Sequence, residues 1–122
     1  MDNSIVPSGK ILLYQYEADN VYVDVYFKDE TFWLTQRGMS ELFDCTTDNV
    51  SLHLQHIYAE EELEREATAE KFSVVRPEGS WQVKRELDFY NLDAIIAAGY
   101  RVNSKKAARF RQWATKTLRE YI

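Results

Sequence analysis

From residue 10 to residue 34 the apolar residues come in β-branched and aromatic runs, and from Thr35 onward they recur at three- and four-residue spacing. A period of two suits half-buried strands and a period of 3.6 suits amphipathic helices, so the change at Thr35 commits the chain to both element types. Residues 10–15 and 21–27 read as a hairpin around the polar stretch 17–20, with 31–34 as a third strand after Lys28, Asp29 and Glu30. Thr35 fits a helix N-cap, with Met39, Leu42 and Phe43 at helical spacing behind it. Asp44, Cys45 and Thr46 break the pattern, and Val50, Leu54 and Ile57 form the stripe of a second helix over 47–58.

The second half repeats the change of period. The glutamate-rich run 60–66 predicts a solvated helix end or connector, because like charges so close together repel and bury nothing. Residues 71–75 and 81–90 then read as a hairpin around a turn with Pro77 second and Gly79 fourth. Asn91 caps a short helix expected to face Leu92, Ile95 and Ile96 inward, and Gly99 is placed to end it in the left-handed conformation. Ser104 caps the last helix. There Ala107, Phe110, Trp113, Ala114, Thr117, Leu118 and Tyr121 share one arc, opposite Lys105, Arg109, Lys116 and Arg119. Together these readings predict a single α+β domain over 10–122 behind a flexible stretch 1–9. Antiparallel hairpins and a meander pack with about four helices. The helical pattern reaches Ile122 without a stop signal, so the chain is expected to be the N-terminal part of a longer protein.

Composition narrows the class. Apolar residues make up 45% and charged residues 29%, ordinary globular usage that excludes a disordered or collagen-like chain. With Cys45 alone there is no intrachain disulfide, which fits a reducing compartment. Neither an eighteen-residue apolar run nor a signal-peptide pattern is visible, so the expectation is a cytoplasmic protein without a membrane partner. Net charge is -5, but its division matters more. Residues 1–100 hold eight Lys and Arg against nineteen Asp and Glu, whereas 101–122 hold seven against one. A basic end on an acidic body suits a localised anionic partner.

A capped helix, a short turn and a second amphipathic helix over 35–57 match the helix-turn-helix pattern, with Asp44 where glycine is usual. If the second helix enters a major groove, Asn49 and Gln55 can pair with adenine, Ser51 can contact bases or phosphate, and Leu52 can meet a thymine methyl. That helix carries no Lys or Arg, so phosphate contacts would come from Thr47 at its start and from Arg37, Arg76, Lys84, Arg85, Lys105, Arg109, Lys116 and Arg119 elsewhere. His53, His56, Cys45 and Glu60 would be the only metal reading; lacking the usual zinc spacing, the histidines are read as helix-surface residues, and no metal or cofactor is expected. No phosphate loop, nucleophile elbow or metalloprotease helix appears, so catalysis is not expected. Trp33, Trp81 and Trp113 are read as core and rim.

The strings Trp33-Leu34-Thr35-Gln36, Glu41-Leu42-Phe43, Tyr90-Asn91-Leu92-Asp93, Gly99-Tyr100-Arg101-Val102-Asn103-Ser104 and Phe110-Arg111-Gln112-Trp113-Ala114 resemble the RhuM family of bacterial virulence-associated proteins, over nearly the whole chain from Lys10. The segment 90–113 is also similar, more distantly, to the N-terminal domain of Bro-type phage antirepressors. The resemblance implies a cytoplasmic bacterial protein acting on double-stranded DNA, in transcriptional or phage-type regulation. A competing expectation from the same residues is a protein-interaction or targeting module. It would dock an acidic partner, a further copy of itself or its own C-terminal region, without binding DNA.

Overall fold

A computed structural model describes residues 8–121. Its elements run β1 (Ser8–Tyr16), β2 (Asp19–Lys28), β3 (Thr31–Trp33), α1 (Gln36–Phe43), α2 (Thr47–Ala59), α3 (Arg65–Thr68), β4 (Ala69–Glu78), β5 (Trp81–Tyr90), α4 (Leu92–Gly99) and α5 (Lys105–Tyr121). The α+β class is as the sequence predicts, with α3 as a fifth helix inside the acidic connector. Most of the stretch expected to be flexible, 1–7, lies outside the described residues, whereas Ser8 and Gly9 already pair with β2.

The strands form two antiparallel sheets, β1-β2-β3 and the ribbon β4-β5, joined by a bridge between Leu34 and Tyr90. One face of the first sheet, through Tyr14, Val23 and Val25, closes on the helices. In that core Phe43, Val50, Leu54, Ile57, Ile95 and Phe110 are almost fully buried, each contributing about 1.5–3 kcal/mol by removal from water. A second, smaller cluster fixes the root of the ribbon: Phe72 stacks on Phe89 at 3.8 Å, and Trp33 and Tyr26 pack edge-on against them. Lys28 adds a 2.5 Å ion pair to Glu70 between the two sheets.

Four expectations change. The ribbon turns at Gly79 and Ser80 rather than over 76–79: Glu78 pairs with Trp81, Pro77 lies within the strand opposite Gln82, and Gly79 has φ 64°. Proline is tolerated there because each strand of a two-stranded ribbon has an edge that needs no N–H. Gly99 is not left-handed; it is the last residue of α4, and a Cβ there would stand 2.7 Å from the Phe110 ring and 3.0 Å from Phe43. On α4, Leu92 is exposed and Ile96 only half-buried, while Ala94, Ile95, Ala97 and Ala98 face inward. On α5, Leu118 is exposed although it continues the apolar arc.

Candidate functional site

The α1–α2 pair is built by local chemistry. Thr35 Oγ1 accepts from the Gly38 amide at 3.0 Å, and buried Ser40 satisfies its hydroxyl by donating to the Arg37 carbonyl at 2.6 Å, leaving a small surface where the helices meet. Asp44 adopts φ 55° and ends α1, the Cys45 amide returns to the Ser40 carbonyl, and Thr46 caps α2 by accepting from the Asn49 amide at 3.0 Å. Asp and Asn are among the few non-glycine residues that enter the left-handed region readily, so Asp44 serves where glycine is usual. Burial, with a smaller part from the charge of Asp44, pushes the Cys45 thiol up and away from reactivity.

With Val50, Leu54 and Ile57 turned inward, α2 packs against α1 and α4. Of the predicted base-reading residues, Leu52 and Gln55 are exposed, while Asn49 and Ser51 are half-buried. Gln55 Nε2 donates to Ser51 Oγ at 3.2 Å. Thr47 is exposed at the start of the helix, beside the exposed carboxylate of Asp48.

The predicted phosphate contacts divide among several surfaces. Arg37, 3.6 Å from Glu41, shares with Arg76 a groove of about 520 Å³ between α1 and the ribbon, which also holds the carboxylates of Asp24, Glu41 and Asp88. Arg85 donates to both carboxylate oxygens of Glu78, at 2.6 and 2.8 Å, while Lys84 is exposed on the neighbouring position of β5. The Arg109 guanidinium lies 4.5 Å above the Tyr16 ring, and Lys105 is exposed in the first turn of α5. Lys116 and Arg119 come together in an open groove of about 700 Å³ with Tyr100, Arg111, Gln112 and Thr115, and among the described residues no carboxylate lines it. Neither this groove nor the one holding Arg37 contains a residue of α2. Lys116 and Arg119 thus share a cationic surface on α5 and Arg37 and Arg76 a mixed-charge one at α1, and neither groove takes in Asn49, Ser51, Leu52 or Gln55.

Two arginines that sequence reasoning did not single out hold this arrangement. Arg111 Nη1 donates to the carbonyls of Gly99 and Val102, both at 2.8 Å, closing the end of α4 against α5. Arg101 joins that corner to the acidic connector through Glu60 at 2.7 Å and Glu62 at 2.9 Å. The hydrogen bond from Arg101, more than its charge, holds the Glu60 carboxyl below its usual range. The acidic run was visible in the sequence; its cation, about forty residues away, was not. Ser104 completes the corner, accepting from the Ala107 amide and donating to the Phe43 carbonyl, so α5 begins against the end of α1.

His53 sits beside this corner. Burial first, then the charges of Arg101 and His56, lower its imidazole below the ordinary 6.5. The unfolded chain then takes up a proton at His53 at higher pH than the folded one, so stability is undiminished above pH 6.5 and falls as pH drops below it. Melting temperature should decline between pH 7 and pH 5, and His53→Gln should flatten that part of the profile. An unchanged profile would remove His53 as the cause.

Among the described residues no helix is long and apolar enough to cross a membrane, and no cluster of three His, Cys, Asp or Glu residues could hold a metal ion. Residues 67–122 match the family model of the virulence protein RhuM family. That segment takes in the ribbon, α4 and α5 and leaves the α1–α2 pair outside it, a shorter span than the resemblance from Lys10. No curated protein and no solved structure matches the chain.

Proposed function

We propose that this domain, whose residues 67–122 match the family model of the virulence protein RhuM family, binds duplex DNA in transcriptional or phage-type regulation, as a cytoplasmic binding module and not an enzyme. The observation that carries the reading is the α5 groove, where Arg111, Lys116 and Arg119 stand beside Tyr100 with no carboxylate among the described residues of the lining, on a chain whose first hundred residues are net acidic. Phosphates supply the sequence-independent affinity of such complexes, and this groove has the charge to meet them. Selectivity falls to α2. With Asp48 exposed and no cation on it, α2 works as the reading half of a helix-turn-helix whose affinity comes from α5.

Fluorescence anisotropy with a pool of random duplexes at low salt tests this directly. Binding should weaken with added salt, each engaged phosphate contributing about 0.9 to the slope of log K against log salt. Asn49→Ala or Gln55→Ala should relax sequence preference and leave that slope unchanged. Absence of binding to every duplex at low salt overturns the reading. The same carboxylate-free groove would accept an acidic protein segment, and salt-sensitive capture of such a segment without duplex binding would select that second reading.

A further inference from the structure

Beyond Val74 and Leu87 the described residues of the β4–β5 ribbon belong to neither core. In β5 the alternate residues Phe89, Leu87, Arg85, Val83 and Trp81 share one face, and among its apolar members burial fades toward the turn, with Arg85 exposed between them. Phe89 is fully buried, Leu87 and Val83 are half-buried, and Trp81, beside the Gly79–Ser80 turn, is 74% exposed. Sequence reasoning placed Trp81 in the core or rim; the structure places it at the tip of an arm. An indole this open is unusual, because leaving so much apolar surface in water forgoes the main stabilising term in folding. On the same face Arg76 lies opposite Val83, and Glu78, opposite Trp81 at the tip, is held across the strands by Arg85. Residues 75–85 hold three cations and one carboxylate, whereas the remainder of 1–100 holds five cations and eighteen carboxylates.

We propose that this arm is a second DNA-contacting element, which enters a groove of the duplex with Trp81 as its apolar tip and Arg76 behind it. The proposal rests on the duplex-binding reading and adds to it a contact in a different part of the fold. The local charge selects an anionic partner, and the indole selects one whose charge lies beside apolar faces. Duplex DNA offers both, with phosphates on the groove walls and sugar and base edges within. A two-stranded ribbon fits the width of a major groove, and apolar wedges enter minor grooves between base steps.

Trp81 reports on itself, since Trp33 is buried and Trp113 half-buried. Acrylamide quenching of the intact protein, with Trp81→Phe subtracted to isolate the indole, is measured with and without a saturating random-sequence duplex. Quenching of Trp81 should fall several-fold on binding. Trp81→Ala should weaken duplex affinity about tenfold, with Trp81→Phe recovering most of it and both variants melting like the wild type. A Trp81 that stays fully quenchable in a complex confirmed by anisotropy overturns the arm contact and leaves the α5 reading intact. Wild-type affinity in Trp81→Ala does the same. Protection that rises with protein concentration in the absence of DNA assigns the arm to a second copy of the chain and also overturns the proposal. Failure of wild type and variants alike to bind any duplex overturns the DNA reading itself, and the arm contact with it.

Discussion

Phe110→Ala is expected to destabilise the fold by about 3–5 kcal/mol, and so to lower the melting temperature by about 10–20 °C. The ring is 1% exposed and meets Phe43 edge-on at 5.1 Å and Trp113 at 5.7 Å, where α5 crosses the ends of α1 and α4. It also occupies the space beside Gly99. Gly99→Ala would set a methyl group 2.7 Å from two ring carbons, and as overpacking it should cost about 1–3 kcal/mol. The two effects are coupled. Once Phe110 is truncated, the methyl has only Phe43 to avoid, at 3.0 Å, and alanine is the better helix residue by about 0.5–1 kcal/mol. Gly99→Ala should therefore be nearly neutral in the Phe110→Ala background, leaving an interaction energy of about 1 kcal/mol or more in a denaturant double-mutant cycle. Additive losses would show that Gly99 is small for some reason other than this ring.

That cycle also shows where a sequence stops being informative. Thr35, Asn91 and Ser104 were readable as caps because a cap is local: an oxygen-bearing side chain, an amide three residues on and an apolar period behind it. Val50, Leu54 and Ile57 were readable for the same reason, since helical spacing alone puts them on one face. Gly99 misled because a glycine at a helix end looks the same whether its own backbone or a ring eleven residues away requires it. Pro77 misled because turn statistics do not know that the hairpin continues two residues further. Leu118 kept the apolar period at a level where no neighbour covers it among the described residues. The candidate site was legible in part on the same principle. The helix pair and the basic character of α5 follow from short-range pattern, but the destination of each cation is a tertiary fact. Arg109 settles over Tyr16 and Arg85 on Glu78, so only some of the predicted positive charges remain available to a ligand.

Lys116→Glu with Arg119→Glu should reduce affinity for any duplex by about a hundredfold at low salt and flatten the salt slope by about 2, because each of the two positions then leaves one phosphate unneutralised. Both side chains are exposed, and reversing them removes no packing from the core. Arg119 stands in the last turn of α5, where a cation favours the helix dipole, so its reversal should cost only a few tenths of a kcal/mol and shift the melting temperature by about 2 °C or less. Arg109→Glu makes the contrast. Removing the guanidinium from the Tyr16 ring lowers stability as well as affinity, and so cannot separate field from fold. The affinity loss in the double reversal should be the same for every sequence, because the phosphate backbone carries no base information. Lys116→Gln with Arg119→Gln, which removes charge without adding repulsion, should give the same change in slope with a smaller loss of affinity. If the reversed protein binds duplexes as tightly as the wild type, with the same slope, then α5 does not face the phosphates, and the groove beside Tyr100 ceases to support duplex binding.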